Sequence, residues 1–458
     1  MDYLHVGVAR ADITPPIAMS HAGWGAQFHQ RGEGVDAPLT CTALVARQGA
    51  TTVAIVDLDL IWLMPEHDQA IREQVVRLTG IPSENIRLSY THNHSGPIVG
   101  FTWMTEGADY IPIYLASLPP IVASTVRQAA MKVQPVRVAA GRGECAINVN
   151  RRTPGANGEI FAGRNWNGFV DREVLVVRID DLEGAPVATI VNYACHPTIM
   201  GPPNRLVTPE YPGAAKREVE AIVGGTCLFM QGATANLGPI DGFIGDPAVY
   251  RRAGKILGVE AARVRLTTPI RPTKERLVRI IKSGSDLGLY EDVPMAEADA
   301  TLAVANHHVT VPLKEYPPVV QAQAEFDCLM ADLVRVRASG TEEQILAAVY
   351  PVRRAELALY HAKLFGGGKL NLWIQAIQLG PVALVVVPIE PFAEIGAAVK
   401  RASPFPFTLF SGYGNGYYGY MPVPDAYPLG GYEVRTSPYP PEAADTVIEG
   451  SLHALHAL

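Results

Sequence analysis

The tightest constraint on the fold is where three strand-like runs stop. Residues 85–90 lead into Thr91-His92-Asn93-His94, residues 187–193 into Ala194-Cys195-His196, and residues 382–387 into Pro388-Ile389-Glu390. Short runs rich in Val, Ile and Tyr read as buried strands, and the stretches 66–78, 211–223 and 392–401 near them carry helical periodicity. That alternation predicts an α/β protein with a mixed β-sheet core flanked by helices, in a single large domain over residues 1–458. Ligand sites in such sheets gather beyond the carboxyl ends of strands, so side chains distant in sequence can converge there.

Composition narrows the partners. With 458 residues, 48% of them hydrophobic, the chain can bury a large core. The net charge of −7, with no clustered Lys/Arg stripe, excludes the footprint of a nucleic-acid binder. No basic segment followed by an apolar one opens the sequence, and no apolar run is long enough to span a bilayer. A cytoplasmic protein without stable membrane insertion is expected. Its five cysteines, scattered and never C-x-x-C, are expected to be reduced thiols.

Two regions break the rhythm. The stretch 274–315 is irregular and reads as a hairpin or lid-like insertion, followed by long helical patterns at 319–338 and 342–363. Residues 412–439 are rich in Gly, Tyr and Pro, which suggests a functional loop whose tyrosines need burial.

In extended backbone, residues at i and i+2 share a face, so His92 and His94 can point into one cleft. An H-x-H alone is weak evidence. His196 can equally be a core histidine bonded to a carbonyl, and Glu390 can cap the helix after Pro391. Together, two or three imidazoles and a carboxylate form a donor set that suits Zn²⁺ with a position open for water. Asp57 and Asp59 are weaker candidates, either supporting a metal histidine or solvated at a strand end, and Glu210 is a further one that can simply charge the start of the following helix. His307 and His308 sit side by side in a strand pattern, so their rings should face opposite ways.

Several ordered segments resemble the catalytic domain of the neutral, non-lysosomal ceramidase family. They are Ala9-Arg10-Ala11-Asp12-Ile13-Thr14-Pro15-Pro16, Thr91-His92-Asn93-His94-Ser95-Gly96-Pro97, Asn148-Val149-Asn150-Arg151, Tyr193-Ala194-Cys195-His196-Pro197, Val387-Pro388-Ile389-Glu390 and Asn415-Gly416-Tyr417-Tyr418-Gly419-Tyr420. The resemblance implies zinc held by His92, His196, Glu390 and Tyr420. Tyr427 and Tyr432 match the family's following tyrosines, so the resemblance favours Tyr420 over Tyr417 and implies that Tyr432 helps orient the reacting group. His94 is then the candidate for proton transfer or for a contact supporting the metal ligands, and Arg151 for the developing oxyanion or an anionic substrate group. Gly238 stands where the family has a serine, and the chain ends at Leu458 without the family's C-terminal immunoglobulin-like domain. The expectation is a zinc hydrolase of a small or amphiphilic N-acyl substrate other than ceramide, possible as a homo-oligomer. The alternatives are a metal hydrolase of a glycoside, ester or lactone, and a non-catalytic binding protein.

Overall fold

A computed structural model describes residues 3–458 apart from 22, 25–26, 28, 100–103, 105 and 366–367. Its first sheet has eight strands in the order Thr226–Gln231, Pro186–Tyr193, Glu173–Asp181, Gln134–Glu144, Leu4–Asp12, Thr40–Gln48, Thr51–Leu58, Ile86–Tyr90. The second has four, ordered Leu302–Pro312, Lys369–Leu379, Val382–Val386, Phe407–Ser411. The expected mixed sheet core flanked by helices is present, folded as two facing sheets.

The core accounts for this layering. Inner faces of both sheets meet through Val6, Leu44, Ile55 and Ile190 on one side and Ile377, Leu384 and Leu409 on the other. The outer face of the first sheet is covered at one end by Pro65–Thr79 and Tyr110–Met131, through Ile71, Val75, Val122 and Val126. At its other end lie Glu210–Val223 and Pro247–Thr267. The outer face of the second sheet packs on Ala393–Ala402 and Ala443–His456. Each large apolar side chain fully buried in these layers contributes about 1.5–3 kcal/mol relative to exposure.

Local chemistry sets the element ends. Pro65 opens the first helix with Glu66 and Asp68 in its first turn, and Gly80, at φ 74°, closes it by donating its N–H to Val76. The antiparallel turn at Gly380-Pro381 joins Lys369–Leu379 to Val382–Val386.

The 274–315 stretch divides. Thr273–Ile281 and Leu287–Pro294 form an isolated antiparallel hairpin, whereas Leu302–Pro312 is an edge strand of the second sheet and no part of an excursion. Its half-exposed pattern weakens the alternation by which a strand is recognised. The helices Val319–Ser339 and Glu342–Phe365 pack through Leu333, Val349 and Val352 onto Ile98 and Met104, just beyond the H-x-H segment. They, rather than the hairpin, roof the site.

Within the two large sheets, three strand pairs are parallel: Thr51–Leu58 with Ile86–Tyr90, Pro186–Tyr193 with Thr226–Gln231, and Val382–Val386 with Phe407–Ser411. The loops that leave their carboxyl ends carry Trp62, His92 and His94, then His196 and Thr234, then Glu390 and the tyrosines 413–420.

Candidate functional site

His92 is fully buried in the left-handed region at φ 61°. The H-x-H segment is therefore no extended strand. A strained left-handed residue brings the two rings together, 4.9 Å apart and perpendicular. His92 Nδ1 lies 3.0 Å from the Ile61 carbonyl, and His196 Nδ1 3.1 Å from the Thr234 carbonyl. A carbonyl only accepts, so each Nδ1 carries the proton and each Nε2 presents a lone pair.

Those two Nε2 atoms are 2.9 Å apart. Burial pushes both imidazoles well below their ordinary pKa, for His92 with help from neighbouring His94 and for His196 with help from Arg151, so neither is an imidazolium. Two lone pairs facing at that distance repel unless a cation lies against both. Glu390 Oε2, 3.6 Å from His92 Nε2, is buried without a hydrogen-bond partner in good geometry among the described residues. The donor set thus fits a metal ion.

His94 belongs to the same cluster. The ligand atoms of His92, His94 and His196 lie within 4.8 Å of one another, a grouping compatible with a metal site. Both His94 ring nitrogens are buried without a hydrogen-bond partner among the described residues. Burial, reinforced by Arg151, lowers its pKa to about 3, so the ring is neutral at pH 7.

Glu390 pairs across a short parallel bridge with Tyr420. Its Oε1 accepts from Tyr417 at 2.6 Å. Burial raises its pKa to about 7, with the Tyr417 hydrogen bond and Arg151 opposing. Both tyrosines weighed from the sequence therefore serve this carboxylate, Tyr417 by hydrogen bond and Tyr420 by register. Tyr420 points its hydroxyl toward Arg151 Nη2, 3.4 Å away.

Arg151 is anchored by Glu433, whose Oε1 accepts from Nε at 2.9 Å, while Glu433 Oε2 accepts from Arg152 at 2.7 Å. Burial works against the Arg151 charge, but Glu433 and Tyr420 outweigh it and raise the guanidinium pKa. Tyr432 begins the short helix Tyr432–Thr436, is 46% exposed, and meets Tyr420 edge-on at 5.6 Å. It stands at the mouth of the site. Gly238 lies in Leu237–Pro239, paired with Asn148–Pro154, and a Cβ there would meet Arg151 Cβ at 3.5 Å. The glycine is beside the cation, with room for a side chain.

Three weaker candidates take other roles. Asp57 and Asp59 neither support a histidine nor face solvent; both are buried and hold Lys216 at 3.0 and 2.8 Å. Glu210, at φ 53°, is also buried, and its carboxylate accepts the N–H groups of Ile199 and Met200, fixing the loop after His196. His307 and His308 do face opposite ways, onto His453 and Trp373.

Several site residues carry no sequence signal of their own. The Tyr413 ring covers His92 at 4.0 Å and its hydroxyl bonds Thr234, whose carbonyl holds His196. Trp62 stacks on Tyr417 at 4.4 Å, and Trp24 stacks on His94 at 5.0 Å. Arg353, from the roof helix, donates to the Trp24 carbonyl at 2.8 Å. Only Tyr413 was within reach, as one tyrosine of the Gly/Tyr-rich loop.

Comparison with known proteins bears on this site. Residues 3–236 match the family model "Neutral/alkaline non-lysosomal ceramidase, N-terminal". Neutral ceramidase of Mycobacterium tuberculosis is 30% identical over 241 residues, 48% of this chain and 36% of that protein. Neutral ceramidase of Pseudomonas aeruginosa is 24% identical over an alignment covering 95% of this chain and 69% of the other. The match to Neutral ceramidase A of Dictyostelium discoideum, 29% identical, spans only 19% of that protein. Among solved structures, "Ceramidase complexed with C2" superposes with a TM-score of 0.69 at 18% identity, covering 100% of this chain and 75% of that one. The crystal structure of the Pseudomonas aeruginosa neutral ceramidase gives 0.68 at 19% identity.

Proposed function

We propose that this chain, which belongs to the neutral/alkaline non-lysosomal ceramidase family, hydrolyses the amide bond of a small or amphiphilic N-acyl substrate at a zinc centre. The carrying observation is the pair of Nε2 lone pairs 2.9 Å apart beside the partnerless Glu390 oxygen. His92, His196 and Glu390 would hold the ion, with Tyr420 as the fourth ligand. Zinc bound there supplies polarisation of the substrate carbonyl and a water acidic enough to attack near neutral pH, at a pKa of about 7.

The protein's own groups complete the chemistry. Arg151, kept charged by Glu433, receives the negative charge that grows on the carbonyl oxygen. His94, in the same cluster as His92 and His196, is the candidate for relaying a proton from water to the leaving nitrogen or for a supporting contact to the metal histidines. Tyr432 orients the reacting group from the cleft mouth. A groove of about 620 Å³, lined by Met64, Ala70, Val99, Ile111, Leu115 and Tyr360, is bounded by the loops that carry Trp62 and His94 and suits an acyl chain.

Gly238 supplies no side-chain hydroxyl at the position where the family has a serine, which favours a substrate other than ceramide. The reading takes residues 1–458 as one hydrolase domain working in the cytoplasm, supported by five cysteines that are all free thiols. No helix among the described residues is long and apolar enough to cross a membrane.

The test is a screen of the purified protein against short N-acyl amides, aryl glycosides, esters and lactones, scored for released amine, sugar or alcohol. Amine release is expected, reduced at least about 10³-fold in His196→Ala. Release of sugar or alcohol without amine would contradict the amide assignment.

A further inference from the structure

The roof helix Glu342–Phe365 sends two side chains to different parts of the cleft. Tyr360 lines the apolar groove, together with Met64, Val99 and Leu115. Arg353 is partly exposed and donates from Nη1 to the Trp24 carbonyl at 2.8 Å, and the Trp24 ring stacks on His94 at 5.0 Å. Seven residues are close to two full helical turns. The two side chains therefore share a face of the helix, about 10 Å apart along its axis, one over the groove and one over the reacting groups.

The charge of Arg353 bears on the mouth of the site. Tyr432 is its strongest electrostatic neighbour, ahead of Glu356 and Tyr420, and Arg353 is in turn the strongest on Tyr432. His94 feels it as well. Loss of water outweighs these neighbours and lowers the Arg353 pKa, so this cation sits where solvent serves it poorly and an anionic partner would favour it. Arg151, the other guanidinium of the cleft, is already bound by Glu433.

These positions orient a substrate. With an amide held beside His92 and His196 and its acyl chain in the groove at Tyr360, the amine portion extends toward Arg353. A carboxylate there meets a planar fork of N–H donors suited to it. We propose that Arg353 is a specificity-determining residue that reads a carboxylate on the amine side of the substrate, so that the preferred substrates are N-acyl amino acids. Water adds across the amide, and the products are a carboxylic acid and the free amino acid. The proposal rests on the amide-hydrolase reading and narrows it.

N-octanoylglycine and its neutral counterpart N-octanoylglycinamide test this on the purified full chain. The glycine conjugate is expected to be cleaved with kcat/KM at least about tenfold higher. Arg353→Met should bring that ratio close to one, chiefly by raising KM for the glycine conjugate, and Arg353→Lys should recover part of it. Recovery by lysine separates a lost charge from a disturbed roof. Equal cleavage of the two amides by the wild type would overturn the proposal, and so would a preference that survives in Arg353→Met. If neither amide is cleaved, calorimetric titration, which needs no turnover, decides between the two readings. Binding of N-octanoylglycine at least about tenfold tighter than the glycinamide, and lost in Arg353→Met, would uphold the carboxylate site while the amidase reading falls. Equal binding would overturn both.

Discussion

Arg151 and Arg152 share one carboxylate, Glu433, and all three are nearly buried. Removing that carboxylate strands two cations in a low-dielectric site. Glu433→Ala is therefore expected to destabilise the fold by about 3–5 kcal/mol, seen as a lower urea midpoint. An unchanged midpoint would mean that Glu433 does not hold the pair. At Gly238, a side chain would enter at ordinary contact distance from Arg151. Gly238→Ser should fold with a stability change under about 1 kcal/mol, and thermal melting checks it; a collapse of the melt would show that the space is illusory. At this scale the convergence of His92, His196 and Glu390 was legible because each follows a recognisable strand end. The left-handed backbone of His92 was not, since nothing in Thr91-His92-Asn93 requires a positive φ. Tyr413 and Thr234 were hidden for another reason: they act through tertiary contacts with the histidines rather than as donors in a motif.

Among the elements, the helix Glu210–Val223 begins on a residue whose carboxyl is buried and takes two backbone N–H groups from the loop after His196. Burial raises the Glu210 pKa to about 8 from an ordinary 4.5, despite those N–H groups. The folded protein then holds a proton that the unfolded chain releases, so stability falls as pH rises from about 4.5 to about 8 and levels off beyond. The slope from this group alone approaches 1.4 kcal/mol per pH unit. Glu210→Gln should flatten that fall between pH 5 and 8, measured by denaturant titration at several pH values. A slope as steep as the wild type would show that other groups carry it. Helices were the readable elements, because stripes such as Ile71 and Val75 and stops such as Gly80 are local. The strand order was not readable. The central strands Leu4–Asp12 and Thr40–Gln48 pair over a register set by distant partners, and Leu302–Pro312 shows too little alternation to mark it as a sheet edge.

Across the whole molecule, two sheets face each other, and both send loops from the carboxyl ends of parallel pairs to one place: His92, His94 and His196 from the first, Glu390 and Tyr420 from the second. No single layer holds all five of these side chains. An ion bound there would tie the two sheets together, and binding to the folded state alone would add to stability. The measurement that bears most directly on this is metal content by inductively coupled plasma mass spectrometry, with thermal melts before and after chelation. The expected result is about one zinc per chain, loss of that zinc in His92→Ala and His196→Ala, and a melting temperature lowered by several degrees in chelator. A zinc-free protein whose melting temperature is the same with and without chelator would contradict it.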